Sequence, residues 1–202
     1  MSIARTRARW RDIWSRFSGA GAYPEELAWL LLMPLRGLIF SPRQLLDYLS
    51  LAPDARVLEI GPGPGFFSVP VARALPDGRL ELVDIQAGML VKARRRVRDH
   101  GVRNAGFIRA SATMLPFVRG SFDHAFLVAV LGEVSDPPAC VAAIADALRP
   151  GGRLVCVELP GDADALTAEQ LQAYARSAPL RFVESVRIGQ ARLTAFERTA
   201  AA

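Results

Sequence analysis

Three glycines alternate with two prolines in the stretch VLEIGPGPGFF, residues 57–67, which begins as an apolar run. Because glycine has no side chain, Gly61, Gly63 and Gly65 allow a ligand to lie close to the main chain. Such a loop after a buried strand is typical of sites for nucleotide-like molecules. Asp84 ends the next apolar stretch, where a carboxylate can accept hydrogen bonds from both hydroxyls of a ribose. These residues predict a site for a ligand that contains a nucleoside.

The spacing within this loop distinguishes a dinucleotide from S-adenosylmethionine (SAM). The dinucleotide pattern is G-x-G-x-x-G/A, and its third small residue would fall at Phe66. Pro62 and Pro64 have no N–H groups, whereas a pyrophosphate is held by such donors. SAM has no phosphate and needs only close access to the backbone. The loop therefore favours SAM, and Asp84 also argues against NADP because its carboxylate would repel the 2′-phosphate.

Alternating strands and helices are predicted to place these residues at one edge of a sheet. A capping box at Ser41–Gln44 starts a helix that ends near Leu51, and strand–helix alternation follows from residue 56. This alternation predicts an α/β fold with a parallel sheet and ligands at the carboxyl ends of its strands. The last two strands flank Gly189-Gln190 as an antiparallel hairpin. The predicted strands are 56–60, 79–84, 105–110, one within 122–131, 153–159, 180–188 and 191–199, and the helices between them are 66–75, 87–99, 137–148 and 167–177.

Four stretches in order resemble one protein family. They are VLEIGPGPGFF (57–67), LVDIQAGMLVKARRRV (82–97), LPFVRGSFDHAFLVAVLGEVSDP (115–137) and ALRPGGRLVCVEL (147–159). In these the sequence resembles the class I SAM-dependent methyltransferases, in the group that includes ubiquinone/menaquinone-biosynthesis methyltransferases. The resemblance implies a Rossmann-like, doubly wound sheet of seven strands in the order 3-2-1-4-5-7-6, with the last strand antiparallel. It also implies SAM as the cofactor and S-adenosylhomocysteine as its product.

The resemblance also implies roles for single residues. Glu59 would help to fix the loop and the amino end of the cofactor, the three glycines would line its methionine and ribose, and Ile85 would pack on adenine. Main-chain groups of the fourth strand would hold the methionine ammonium. The family commonly has an acid where this chain has Ser111, so we expect a weaker, neutral hydrogen bond there. The implied cofactor-binding residues are Glu59, Gly61, Gly63, Gly65, Asp84, Ile85, Ser111, Ala112, Leu127 and Val128.

Methyl transfer from a sulfonium is an in-line displacement for which the protein supplies alignment and electrostatics. A base is needed only if the acceptor must lose a proton. Glu133 is the candidate because its loop follows the fourth strand, the alternative being a surface or capping carboxylate. His100 and His124 are expected to be structural. Two separated cysteines make no metal site and disfavour an arsenite methyltransferase.

Residues 1–50 are predicted to form a helical lid or substrate cap, and residues 51–202 one compact SAM-binding domain. The aromatic and aliphatic content of the lid favours a small apolar acceptor, such as a quinone-like ring or a lipid. Its basic first helix, residues 2–17, predicts either peripheral contact with an anionic membrane through residues 1–40 or packing on the domain or a homodimer partner. We see no signal peptide and no span of the ~20 residues that a bilayer needs, and therefore expect a cytoplasmic protein.

The net charge of +5 comes from an arginine-rich composition in which Lys92 is the only lysine. That bias explains the charge without nucleic-acid binding, so no nucleic-acid partner is expected. Two other functions stay open. An NAD-linked oxidoreductase is disfavoured by Phe66 and the loop prolines. A non-catalytic binder of SAM or S-adenosylhomocysteine is not excluded, because methyl transfer needs no signature residue.

Overall fold

The structure is a computed structural model that describes residues 39–200. The predicted helices at 2–17 and near 24–33, most of the predicted lid, and the predicted membrane and dimer contacts lie outside these residues. The helices are α1 (Pro42–Leu49), α2 (Ser68–Arg73), α3 (Ala87–Asp99), α4 (Pro137–Ala147) and α5 (Ala168–Ala175). The strands are β1 (Arg56–Ile60), β2 (Arg79–Asp84), β3 (Ala105–Arg109), β4 (Phe122–Val128), β5 (Leu148–Glu158), β6 (Leu180–Ile188) and β7 (Ala191–Arg198).

The strands form one seven-stranded sheet in the order β3-β2-β1-β4-β5-β7-β6. Strands β3, β2, β1, β4 and β5 pair in parallel, and β7 runs antiparallel to both β5 and β6. The predicted Rossmann-like order and the antiparallel last strand are therefore confirmed. The carboxyl ends of the parallel strands all lie at one edge, which is where ligands bind in such sheets.

Helices cover both faces of the sheet, and the core consists of one apolar cluster on each face. On one face α1, α2 and α3 pack on the strands, with Phe40, Phe67 and Phe126 fully or almost fully buried. On the other face α4 and α5 pack, with Phe122 and Ile144 at the centre. Within the part of the chain that the structure describes, no helix is long and apolar enough to span a membrane.

Capping residues in the sequence explain where α1 and α5 begin. Ser41 caps α1 in a capping box with Gln44, and proline occupies the first helical position, where no intrahelical N–H is needed. Thr167 and Gln170 form the same arrangement at the start of α5. Helix α3 has the predicted bounds of 87–99.

Several predicted boundaries are wrong by one or two residues, and the start of β5 is wrong by five. Helix α2 begins at Ser68 rather than at residue 66, because the end of the glycine loop forms turns up to Phe67. Strand β5 begins at Leu148 rather than at residue 153, since Leu148 pairs with Phe122 of β4. The register between the two strands then shifts, and residues 149–152 are accommodated as a bulge. Helix α4 accordingly ends at Ala147.

Candidate functional site

The glycine loop follows β1 and is held by two backbone hydrogen bonds, one to β2 and one within the loop. The Gly61 N–H donates to the carbonyl of Val83 at 2.8 Å, and the Gly65 N–H donates to the carbonyl of Pro62 at 3.0 Å. All three glycines have positive φ, of +64°, +52° and +84°, which other residues adopt only with strain. The predicted close-approach loop therefore has the conformation that its glycines allow.

The N–H groups of this loop are not available to a phosphate. Pro62 and Pro64 have none, and those of Gly61 and Gly65 are bonded to main-chain carbonyls. The remaining N–H, that of Gly63, lies close enough to the Asp84 carboxylate to lower its pKa, and the negative charge there disfavours a phosphate. A pyrophosphate is bound by several such donors pointing at the ligand. Residues 61–65 thus fit a ligand without phosphate, such as SAM, better than a dinucleotide.

Asp84 lies at the carboxyl end of β2 and is half-buried. Its carboxylate accepts the N–H of Gln86 at 2.8 Å, and the N–H groups of Gly63 and Ile85 lie close enough to lower its pKa. Burial nevertheless raises the pKa of Asp84 above its ordinary value, against the lowering effect of these three donors. The structure therefore brings together Asp84 and the glycine loop, as predicted. Ile85, which follows, has 59% of its surface exposed and is available to pack on a ligand.

Glu59, in β1, is the most buried acid of the site, with 3% of its surface exposed. The hydroxyl of Ser68, the first residue of α2, donates to it at 2.6 Å. Burial raises the pKa of Glu59 to about 8; the Ser68 hydrogen bond lowers it, and the carboxylate of Asp84 raises it further. Glu59 ties β1 to α2 around the glycine loop, which agrees with its predicted part in fixing that loop.

The raised pKa of Glu59 predicts a pH-dependent stability. A carboxyl whose pKa is about 8 when folded and 4.5 ordinarily takes up a proton on folding between these pH values. Its favourable contribution is therefore complete below about pH 4.5 and is lost as the pH rises to about 8. Each pH unit in this window lowers the free energy of unfolding by about 1.4 kcal/mol at most. Denaturant unfolding should show this slope in the wild type and a reduced slope in Glu59→Gln; equal slopes would contradict it.

Ser111 and Ala112 follow β3, beside the end of β2. The N–H of Ala110 donates to the carbonyl of Asp84 at 3.2 Å, which places this segment next to the ribose candidate. The Ser111 hydroxyl oxygen accepts the Thr113 N–H at 3.2 Å and lies 2.8 Å from the Thr113 hydroxyl oxygen. Ser111 is therefore at the predicted place, with its hydroxyl engaged in a local turn.

A carboxylate at position 111 should bind the adenine amino group more strongly than the hydroxyl. A hydrogen bond to a charged group exceeds a neutral one by about 1 kcal/mol, which is about fivefold in affinity. We expect Ser111→Asp to tighten SAM binding by this factor in titration calorimetry, and the neutral Ser111→Asn not to do so. If Ser111→Asp binds SAM no more tightly than the wild type, Ser111 does not face adenine in the predicted way.

Strand β4 ends beside the glycine loop. Leu127 and Val128 are buried at its last positions. Ala129 has a positive φ of 54°, and its N–H donates to the carbonyl of Val157 at 2.8 Å. A left-handed alanine costs about 1–2 kcal/mol, and such strain often occurs at functional sites. Sequence reasoning placed the strand within 122–131 but missed the turn at Ala129, because no residue type there indicates it.

Val130 joins this segment to the glycine loop. A Cβ built on Gly61 would lie 2.5 Å from one methyl carbon of Val130 and 2.7 Å from the other. Gly61 therefore has two reasons to be glycine, its positive φ and the side chain packed against it. No sequence pattern indicates this pair, which lies 69 positions apart.

Glu133 lies in a 3-10 turn, Leu131–Glu133, at the same edge of the sheet and is half-buried. This is the region predicted for a base, although the role of Glu133 stays a prediction. His124 pairs with Val57 near the amino end of β1, at the opposite end of the strands, and His100 is exposed at the end of α3. Neither histidine is near the glycine loop.

The two cysteines are buried and poorly suited to bind a metal or metalloid. Burial raises the pKa of Cys140 to about 12 and that of Cys156 well above its ordinary value, so neither forms a thiolate readily. Among residues 39–200, no group of three or more His, Cys, Asp or Glu residues has the arrangement of a metal site.

Comparisons with known proteins agree with this geometry. A family model described as Methyltransferase domain matches residues 57–152. The ubiquinone/menaquinone biosynthesis C-methyltransferase UbiE of Hahella chejuensis (strain KCTC 2396) is 33% identical over 138 residues, which are 67% of this chain and 55% of that protein. The chain spans about half the length of the curated relatives it matches.

Solved structures share the fold at low identity. The crystal structure of a SAM-dependent methyltransferase from Aquifex aeolicus has a TM-score of 0.82 at 18% identity, over 88% of this chain and 100% of that one. The geranyl diphosphate C-methyltransferase from Streptomyces coelicolor A3(2), solved with Mg²⁺, geranyl diphosphate and S-adenosyl-L-homocysteine, has a TM-score of 0.67 at 16% identity, over 78% and 79% of the two chains.

The strand order and these matches make the chain similar to the class I SAM-dependent methyltransferases and support SAM as its cofactor. The match to the Methyltransferase domain covers residues 57–152, and the matched relatives include UbiE proteins.

Proposed function

We propose that the chain is an enzyme that moves a methyl group from SAM to a small, apolar acceptor. The observation that carries this proposal is the pairing of Asp84 with a glycine loop in which two N–H groups are replaced by proline and two are bonded to main-chain carbonyls. This combination offers hydrogen bonds to a ribose and close access to the backbone, with few donors for a phosphate. When bound, SAM supplies a methyl group on a positively charged sulfur, which is the whole source of reactivity.

The groups of the protein would bind SAM and align it with the acceptor. Asp84 would accept hydrogen bonds from the ribose hydroxyls, and the exposed side chain of Ile85 would cover adenine. The main chain at Leu127 and Val128 would hold the methionine ammonium, with Glu59 fixing the loop from below. Alignment of this kind lowers the barrier of an in-line displacement because the reacting atoms are held together.

We propose a quinone-like ring or a lipid as the acceptor class. The matched relatives are named for ubiquinone and menaquinone biosynthesis, and a structural neighbour is named for a prenyl diphosphate. Methylation at a ring carbon requires that the carbon loses a proton, so such an acceptor needs a base. Glu133 is the proposed base, because its turn follows β4 at the edge where the cofactor candidates converge.

The test is transfer of labelled methyl groups by the purified full chain. The panel should contain a prenylated hydroquinone, a free fatty acid and a simple catechol, with S-adenosylhomocysteine release as a second readout. Transfer to the hydroquinone supports the proposal, and transfer to a polar acceptor only would overturn the apolar class. Tight SAM binding without transfer to the panel or to a cell extract would favour the non-catalytic binder instead.

A further inference from the structure

A groove with an apolar floor and a basic rim lies between α3 and β3, which is an edge strand of the sheet. Its volume of about 600 Å³ is within the usual range for ligand sites. Leu90, which is buried, and Phe107, which is half-buried, line it, and 68% of the surface of the adjoining Val91 is exposed. The basic residues that line the groove are Arg94, Arg95, Arg98 and Arg109.

The backbone brings these arginines together from two elements. Arg94 and Arg98 are four positions apart in α3 and therefore lie on one side of that helix. Phe107 and Arg109 are two positions apart in β3 and therefore lie on the same side of the sheet. The guanidinium carbon of Arg94 lies 5.1 Å from the centroid of the Phe107 ring, which joins the two elements across the groove.

The positive charge of this rim is mostly not balanced by acids. Arg95 lies 3.7 Å from the carboxylate of Asp99, which also lines the groove. Of the ion pairs formed among residues 39–200, none includes Arg94, Arg98 or Arg109. The groove therefore presents three exposed guanidinium groups to an occupant, which favours an anion.

Charge and apolar floor together limit what can occupy the groove. Residues 1–38 contain six arginines against three acids, and the whole chain has a net charge of +5, so neither that segment nor a second copy complements the rim. A nucleic acid would match the charge, but a single strand also stacks bases on open aromatic rings, and Arg94 covers Phe107. An anionic phospholipid offers a phosphate to the arginines and an apolar portion to the floor.

We propose that this groove binds the headgroup of an anionic phospholipid, so that the α3–β3 face of the protein lies on a membrane surface. The groove adjoins the cofactor edge, because the Arg109 side chain donates to the carbonyl of Ile85 at 3.2 Å and α3 begins at Ala87. A membrane at this face would present an apolar acceptor beside the candidate SAM site. That consequence rests on the proposed methyl transfer, whereas the lipid contact does not.

Sedimentation of the full chain with vesicles tests the lipid contact without any acceptor. Vesicles of phosphatidylcholine and phosphatidylglycerol in equal parts should bind the chain, and vesicles of phosphatidylcholine alone should not. The double variant Arg94→Gln, Arg98→Gln should bind the anionic vesicles about 30-fold more weakly, which is about fivefold for each arginine near the surface. Both side chains are exposed and glutamine is a good helix former, so α3 should keep its structure.

The double variant Arg43→Gln, Arg119→Gln is the matched control, because it removes the same charge from other surfaces. Arg43 lies in α1 and Arg119 lies before β4, and 91% and 80% of their side chains are exposed. This control should bind the anionic vesicles within about twofold of the wild type. Equal losses in the two double variants would overturn the proposal, since net charge or another surface would then explain the binding.

A dye attached at position 91 reports whether the groove itself meets the lipid. The two cysteines of the chain are buried, and burial raises the pKa of both Cys140 and Cys156, so Val91→Cys supplies a thiol that can be labelled selectively. The fluorescence of an environment-sensitive dye there should shift to the blue when anionic vesicles are added. The same dye on Ser177→Cys, exposed just after α5 on the other face of the sheet, should not shift. A shift at position 177 alone would overturn the proposal.

The other possible occupants give different results in the same assays. A shift at position 91 that grows with protein concentration in the absence of vesicles would show a second copy in the groove and would overturn the proposal. Tighter binding to an RNA oligonucleotide than to the anionic vesicles, with a shift at position 91, would overturn it in favour of a nucleic acid.

Transfer to a prenylated hydroquinone embedded in anionic vesicles tests the functional consequence. Arg94→Gln, Arg98→Gln should lower this transfer by about tenfold or more while the Kd for S-adenosylhomocysteine stays unchanged. Transfer at the wild-type rate would show that the lipid contact does not deliver the acceptor. If the wild type transfers no methyl group but the vesicle and dye results hold, the proposed function fails while the lipid contact stands.

Discussion

Replacing Asp84 with asparagine is expected to weaken SAM binding by about 100-fold. The carboxylate offers charge-assisted hydrogen bonds to two ribose hydroxyls, each worth about 1.5–3 kcal/mol, and an amide can accept through one neutral oxygen only. Folding should be little affected, because the amide oxygen can still accept the hydrogen bond from the Gln86 N–H. The substitution also removes the Asp84 carboxyl, whose pKa is raised by burial. Titration calorimetry with SAM and with S-adenosylhomocysteine measures the effect.

Asp123→Asn is a matched control for this change. Asp123 also accepts a backbone N–H, that of Arg56 at 2.7 Å, but it lies at the amino end of β4, away from the loop. It should therefore lose some stability and keep its affinity for SAM. Equal affinities in Asp84→Asn and Asp123→Asn would show that Asp84 does not bind the ribose.

The order of the elements was predictable because each carries its own local signal. Apolar runs of strand length, the Ser41 cap and the Gly189-Gln190 turn can each be recognised within a few residues. The boundaries that were wrong depend on partners far away in sequence. Strand β5 begins at Leu148 because Phe122 pairs with it, and a proline and two glycines in between suggested a loop.

The residues of the candidate site also fall into those with a local sequence signal and those that depend on distant partners. Asp84 and the three glycines could be predicted as site residues because nucleoside binding favours those residue types at strand ends. Ser68, Val130 and the contact of Gly132 with Asp164 were missed, since they depend on which segments the sheet order brings together. Serine, valine and glycine are too common to indicate such contacts alone.

Gly61→Ala should lose stability for two reasons, the left-handed backbone at Gly61 and the overlap of the new Cβ with Val130. The substitution Gly101→Ala measures the first of these alone. Gly101 has a similar φ of +73°, but a Cβ there would meet nothing within 4 Å. Gly101→Ala should therefore lose only the roughly 1–2 kcal/mol of left-handed strain. Gly61→Ala should lose that and a further ~1–3 kcal/mol, because its Cβ would overlap the stiff side chain of Val130.

The double variant Gly61→Ala, Val130→Ala identifies the source of the extra loss. Removing the Val130 methyl groups opens the space that the new Cβ needs, so the two changes should couple favourably by about 1–3 kcal/mol in a double-mutant cycle. SAM affinity should fall at least about tenfold in Gly61→Ala, recover in part in the double variant and stay unchanged in Gly101→Ala. If Gly61→Ala and Gly101→Ala lose the same stability, the Val130 side chain can move aside for the new Cβ without loss of stability. The glycine would then be required only for its backbone conformation, and β4 would not constrain the cofactor loop.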